Sequence, residues 1–320
     1  MTRIAVVHKV TWTPEEWLRL EAIGEVRYSP GMPSGEEEVL ARIGDAEIVV
    51  AAAIVPFTAR VIEGSPALRL LALLSTGYDT VDLAASRRCG VTVTNVSGCS
   101  AHSVAEHAWA MALHLAKRLG EADAHVRRHE FDWSAIKGLQ IHGLTAGIIG
   151  TGHIGALSAS IAAGLGCRVL AFTQHPSPER ALALGVTFVE LPELLAQSDI
   201  ILVHAALAAG THGLLNRAAF EAMARRPVLV NVARGELIEM DALLEALESG
   251  QVRGAGLDVF WEEPPDWNSA GMQRLLAAEN VLLSPHCAMH TDAAFRCLNQ
   301  VCFDNIEAFL SGRPTNVVSG

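Results

Sequence analysis

The sequence predicts an α/β protein made of two doubly wound parallel-sheet domains, on three observations. Short apolar runs alternate with stretches of helical spacing along the whole chain. The runs are mostly apolar rather than alternating, the pattern of strands covered on both faces. At 320 residues the chain has room for two domains. Half the residues are hydrophobic and 18% are charged, which excludes global disorder. The formal net charge of −11 repels phosphate backbones and anionic lipid, so neither nucleic acid nor a membrane is an expected partner. No apolar run approaches the ~18 residues of a membrane helix. Six cysteines in a long chain without a Cys-x-x-Cys pair predict no disulfide framework, and a reducing, cytoplasmic setting.

In the first third, Ile4–Val7, Ala46–Ala52, Leu70–Leu74 and Val91–Val93 read as strands. The four-residue run Ile4–Val7 is too short for the apolar region of a signal peptide. Pro14–Ile23, Gly35–Ile43, Ala59–Ile62 and Val81–Arg88 have helical spacing. A long helix, Ser100–Leu119, follows a boundary near Gly98 and carries Val104, Ala108, Met111, Leu115 and Leu119 on one face. The alternation then restarts with Ala146–Ile149, Arg168–Phe172, Ile200–Val203, Val228–Val232, Gly256–Val259 and Val281–Leu283 as strands. Asp292–Leu310 is a final helix, ended by Gly312 and Pro314.

Gly150-Thr151-Gly152-His153-Ile154-Gly155 is a G-x-G-x-x-G that closes one of these strands and opens a helix. That context reads as a dinucleotide fingerprint: Gly150 for the tight turn, Gly152 for close approach of the pyrophosphate, Gly155 for helix–strand packing. The helix N-terminus offers free N–H groups and positive dipole to phosphate. An acidic residue for the ribose hydroxyls is expected about 20 residues on. Thr173 stands there instead, 18 residues after Gly155, followed by Gln174 and His175. That turn holds no arginine either, and Arg180 lies seven residues past Thr173. NAD(H) and NADP(H) both remain open.

Three polar residues follow three strands of the second half: Arg234 in Asn231-Val232-Ala233-Arg234-Gly235, Glu263 before Pro264, and His286 in Ser284-Pro285-His286. In a parallel sheet the C-terminal strand ends share one edge, where ligands bind. Arginine grips a carboxylate with a planar fork. Histidine transfers protons near neutrality. A carboxylate bonded to its other ring nitrogen fixes the imidazole. Together they suit proton transfer to a small acid beside a hydride-carrying cofactor. His125 and His129 lie one helical turn apart, but Arg127 and Arg128 between them indicate a solvated face, and no metal site is expected.

The order of Ser75-Thr76-Gly77-Tyr78-Asp79-Thr80-Val81-Asp82-Leu83, Thr94-Asn95-Val96, Ser103-Val104-Ala105-Glu106-His107, the glycine fingerprint, Asn231–Gly235, Gly256–Phe260 with Glu263-Pro264, and Ser284-Pro285-His286 resembles the D-isomer-specific 2-hydroxyacid dehydrogenases over nearly the whole chain. The Ser103–His107 stretch is most similar to the glycerate dehydrogenase, hydroxypyruvate and glyoxylate reductase branch. The resemblance implies a Rossmann cofactor domain, 99–288, inserted into a flavodoxin-like substrate domain formed by 1–98 and 289–320. It implies an oxidoreductase that passes hydride between a nicotinamide cofactor and a small D-2-hydroxy or 2-keto acid. Arg234 would bind the carboxylate with the backbone amides of Thr76 and Gly77, His286 would be the acid/base, and Glu263 its partner. Val104, His153, Ile154, Thr173, Val232, Ala233 and Asp258 would contact the cofactor, Asp258 near the carboxamide. A homodimer through the helix after Gly98 is implied as well.

The chain departs from the family in reading His204-Ala205-Ala206-Leu207-Ala208 where His-x-Pro-Leu-Thr is common. His290, beside the presumed site, reads as a helix-start surface residue, and Cys287 as packing rather than a nucleophile. The pocket that selects the substrate side chain would come from loops such as Ala53–Thr58. Two other functions share the scaffold: oxidation of another small anion such as formate or phosphite, and non-catalytic dinucleotide sensing like that of the C-terminal-binding-protein corepressors.

Overall fold

The computed structural model describes residues 1–52 and 54–318. Ala53, at the head of the expected pocket loop, and Ser319 and Gly320, at the end of the expected C-terminal return, lie outside the described residues. Contacts divide the chain into two compact units: Met1–Ser100 together with the segment from Thr291, and Ala101–His290.

The first unit is a five-stranded parallel sheet in the order β2-β1-β3-β4-β5, the flavodoxin-like order. The strands are β1 (Thr2–Val6), β2 (Gly24–Tyr28), β3 (Ile48–Ala51), β4 (Leu70–Leu73) and β5 (Thr92–Thr94). β3 and β4 are buried throughout, so both faces of the sheet centre are covered, and one face packs Val49, Ala51, Leu71 and Leu73 against the helices. β2 escapes the apolar-run criterion because Gly-Glu-Val-Arg-Tyr forms a largely exposed edge strand. Thr13, Thr58 and Asp82 cap the helices Pro14–Ile23, Ala59–Glu63 and Leu83–Arg88, each side chain accepting an amide hydrogen bond from the first turn.

The second unit is a seven-stranded parallel sheet. Its strands are β6 (Thr145–Ile149), β7 (Arg168–Phe172), β8 (Thr187–Phe188), β9 (Ile200–Val203), β10 (Val228–Asn231), β11 (Gly254–Leu257) and β12 (Val281–Leu283). The order β12-β11-β10-β9-β6-β7-β8 is the Rossmann order with one further strand at the β12 edge. Ile149, Ile201, Val203 and Leu229 enter one core and Ile148, Ile200, Leu202 and Val230 the other, so successive residues fill opposite faces. The helix Ala101–Lys117 covers the second of these faces. Gly256 permits this close packing, because a Cβ there would sit 3.1 Å from Met111 Cβ. Trp109 Nε1 donates to Ser158 O at 3.0 Å and ties that helix to the helix His153–Gly164. No helix among the described residues is long and apolar enough to cross a membrane.

The cysteine reading needs correction. Cys99 and Cys297 form a disulfide across 198 residues, with Cα atoms 5.5 Å apart. The helix Asp292–Leu310 packs back on the first unit, beside β4, and so carries Cys297 to Cys99. Linear spacing carries no trace of a contact made by that return. Cys89, Cys167, Cys287 and Cys302 are free thiols.

Candidate active site

The glycine loop joins β6 to the helix His153–Gly164. Gly150 has φ +92°, a conformation that side-chain-bearing residues rarely adopt, and a Cβ there would also meet the backbone of His204 and Ala205 at 2.6–2.8 Å. A Cβ on Gly155 would lie 1.9 Å from Gly150 O, so helix and strand approach as closely as they do only through this glycine. Gly152 caps the helix and faces open space, leaving the first-turn amides accessible. His153 is exposed and Ile154 half-buried; Val104 and Val232 join one apolar cluster.

β10, β11 and β12 are neighbours and run parallel, so Arg234, Glu263 and His286 leave the sheet at the same edge. Asn231, almost fully buried, folds the first of these loops: its Nδ2 donates to Arg234 O at 2.7 Å, and its Oδ1 accepts from Ala233 N at 3.0 Å. Gly235 lets this loop sit against the next, since a Cβ there would meet the Phe260 carbonyl carbon at 2.2 Å. Glu263 is turned back by its own loop, with Oε1 accepting from Phe260 N at 3.1 Å. Its Oε2 lies 2.6 Å from His286 Nδ1. Burial opposes ionisation of Glu263, but the hydrogen bond and charge of His286, the Phe260 amide and the charge of Arg234 together hold its carboxyl below the ordinary value. With Nδ1 engaged, Nε2 of the exposed His286 is the nitrogen left for proton transfer.

The other expected residues fall as follows. Thr76 and Gly77 follow β4 in the first unit; Thr76 Oγ1 donates to Val96 O at 2.8 Å, and neither residue's amide has a partner among the described residues. Asp258, fully buried, accepts from Ser284 Oγ and from the amides of Cys287 and Ala288. His290 is exposed. His125 pairs with Glu130 at 2.7 Å and accepts from Asp132 N at 3.2 Å, so neither ring nitrogen is open to a metal.

Two features escaped the sequence reading. Arg180, on the helix Pro178–Leu184, folds back onto the glycine loop: its Nη2 donates to Thr151 O at 3.0 Å and to Thr151 Oγ1 at 2.9 Å. Its Nη1 donates to His175 O, and its guanidinium lies 5.8 Å from the centre of the Phe188 ring. The Ser177-Pro178 helix start was the available signal, since it puts Arg180 on the first turn. His107 and Ser284 form the second feature, taken up below.

Residues 109–288 match the family model described as D-isomer specific 2-hydroxyacid dehydrogenase, NAD binding domain. The glyoxylate reductase of Korarchaeum cryptofilum is 34% identical over 294 residues, covering 90% of this chain and 87% of its own. The chain belongs to the D-isomer-specific 2-hydroxyacid dehydrogenases. The hydroxypyruvate reductase of Blautia hydrogenotrophica is 34% identical over 313 residues, 95% of each chain. An acyclic imino acid reductase solved with NADPH and D-Arg superposes with a TM-score of 0.89 at 26% identity, covering 99% of this chain and all of its own. This dehydrogenase is thus an oxidoreductase that uses a nicotinamide cofactor and acts between a 2-hydroxy and a 2-keto acid.

The loops fit that cofactor. Against Gly150 of the glycine loop, His204 follows β9 with both ring nitrogens buried and without partners among the described residues. Burial pushes its pKa down to about 3.

A neutral buried imidazole makes the cofactor-free enzyme acid-sensitive. The folded His204 takes a proton only near pH 3, whereas the unfolded one takes it from about 6.5 downward. This part of the stability is therefore complete above pH 6.5 and is lost progressively toward pH 3, with a slope approaching about 1.4 kcal/mol per pH unit. Thermal unfolding of His204→Leu should show a shallower loss of Tm between pH 6.5 and 4 than the unaltered protein. Equal slopes would contradict the neutral assignment.

Proposed function

We propose that this enzyme is an NADPH-preferring reductase of glyoxylate, hydroxypyruvate or a similarly small 2-keto acid. The observation that carries the reading is the 2.6 Å Glu263–His286 dyad, whose strand-end loop neighbours that of Arg234. A nicotinamide held at the glycine loop would supply the hydride to the carbonyl carbon. Arg234 binds the substrate carboxylate through its guanidinium fork. His286 Nε2 gives a proton to the carbonyl oxygen as hydride arrives, and Glu263 keeps the ring oriented through Nδ1. In the reverse direction neutral His286 takes the hydroxyl proton. The backbone amides of Thr76 and Gly77 are assigned to the same carboxylate by family resemblance alone. Ala101–His290 is read as the cofactor-binding unit and the remainder as the substrate unit.

The cofactor preference rests on Arg180. The turn after β7 carries Thr173, Gln174 and His175 and no carboxylate to repel a 2′-phosphate. Arg180 meets that turn and the glycine loop together, and no acidic partner occupies its guanidinium among the described residues. The NADPH held by the related imino acid reductase agrees with this choice.

A homodimer is also proposed. The helix Leu119–Arg127 buries none of its residues, and Phe131 and Trp133 beyond it are 93% and 85% exposed, an apolar segment suited to a second copy of the chain. A cytoplasmic location is proposed on the four free thiols among the described residues.

Activity is read as loss of reduced-nicotinamide absorbance with each acid. Arg234→Lys keeps the charge but loses the fork, a loss of about 2–4 kcal/mol, so kcat/KM should fall ~30- to 1000-fold with cofactor binding unchanged. His286→Ala should lower kcat about 10²–10⁴-fold. Near-normal turnover in either variant would refute the assigned roles.

Arg180→Gln should raise the KM for NADPH about 10- to 100-fold and leave that for NADH within about twofold, because a charge-assisted contact to phosphate is lost. A parallel rise in both would assign Arg180 to the loop's architecture and not to the phosphate.

A further inference from the structure

His107 belongs to one of the stretches that carry the family resemblance, yet the reaction above makes no use of it. On the helix Ala101–Lys117 its Nε2 stands 3.1 Å from Ser284 Oγ and 3.6 Å from Asp258 Oδ1. Ser284 Oγ lies 2.5 Å from Asp258 Oδ1. The fully buried Asp258, as a carboxylate, can only accept, so the single hydroxyl proton of Ser284 is committed to it. Ser284 Oγ must then accept from His107, which fixes a proton on His107 Nε2. The chain of donors runs His107 Nε2–H to Ser284 Oγ–H to Asp258 Oδ1.

Asp258 passes this order to the proton donor. Its Oδ1 also accepts from Cys287 N and its Oδ2 from Ala288 N, each at 2.9 Å. Those are the two amides that follow His286, while Ser284 lies two residues before it. His286 itself has φ +52°, a left-handed conformation that a histidine keeps only when its surroundings impose it. Asp258 thus clamps the loop on both sides of His286, and His107 closes the far end of the clamp.

His107, Asp258 and Cys287 also bring three possible ligand atoms within 4.8 Å of one another. They do not make a metal site. Burial, and then Asp258, push the Cys287 thiol above its ordinary value, away from the thiolate a metal needs. The Asp258 oxygens already accept three hydrogen bonds.

We propose that His107 and Ser284 are positioning residues that, through Asp258, hold the His286 loop in its proton-donating geometry. The inference rests on His286 as the proton donor. It is tested with glyoxylate and NADPH in His107→Leu, His107→Gln and Ser284→Ala, measuring kcat, KM for glyoxylate and the Kd for NADPH. A glutamine amide restores a donor toward Ser284; leucine does not.

His107→Leu and Ser284→Ala should each lower kcat about tenfold or more, with KM and Kd within about twofold. His107→Gln should keep kcat within about threefold, and His107→Leu combined with Ser284→Ala should be no slower than the slower single variant, since both break one chain. If His107→Leu does not fold, Ser284→Ala carries the same expectation. A wild-type kcat in His107→Leu, equal impairment of the leucine and glutamine variants, or multiplied losses in the double variant would overturn the proposal. Undiminished turnover in His286→Ala would instead overturn the reading it rests on.

Discussion

Seven strands running in one direction deliver every C-terminal end of the second unit's sheet to a single edge. That constraint organises the chemistry. The chain must leave each strand there to cross back over a face, so the loops at that edge need not be paired with one another and can carry polar groups. The glycine loop, His204, Arg234, Asp258, Glu263 and His286 all follow strands of this sheet. Small residues decide how closely those loops and helices pack. Gly155 draws the helix onto β6, Gly235 sets the Arg234 loop against Phe260, and Gly256 admits the helix that bears His107.

Two acid–histidine pairs then have different tasks: Glu263 with His286 on two of these loops, and Asp258 with His107, which stands on the helix Ala101–Lys117. Glu263 and His286 are open enough to solvent for proton exchange. Asp258 and His107 sit behind them with the carboxylate fully buried. A buried carboxylate is tolerated when its oxygens are satisfied, and Asp258 meets that condition with a hydroxyl and two amides. The cost of burying it is met by contacts that also define the loop carrying the proton donor.

The fold was legible where strands are continuously apolar, as in Ile200–Val203 and at 228–230, because burial on both faces disfavours polar side chains. It was not legible at β2, an edge strand with polar residues on its exposed side, or at β8, only two residues long. Arg234, Glu263 and His286 stood out as polar residues placed just past apolar runs, and their loops do emerge side by side. Arg180 did not, because its approach to Thr151 depends on a side chain crossing back over a turn. The Cys99–Cys297 bond was invisible for a related reason: it exists only once the last helix returns to the first unit.

The central claim is that His286 donates the proton and that Glu263, 2.6 Å from its Nδ1, holds the ring in place to do so. Its most direct test is single-turnover reduction of glyoxylate by NADPH in Glu263→Ala, in His286→Ala and in the double variant beside the unaltered enzyme, with deuterated cofactor used to establish that hydride transfer is being followed. Alanine at position 263 removes the ring's partner. The account predicts that each single variant slows hydride transfer and that the double variant is no slower than His286→Ala, because Glu263 acts only through the ring. Undiminished hydride transfer in Glu263→Ala, or losses that multiply in the double variant, would contradict it.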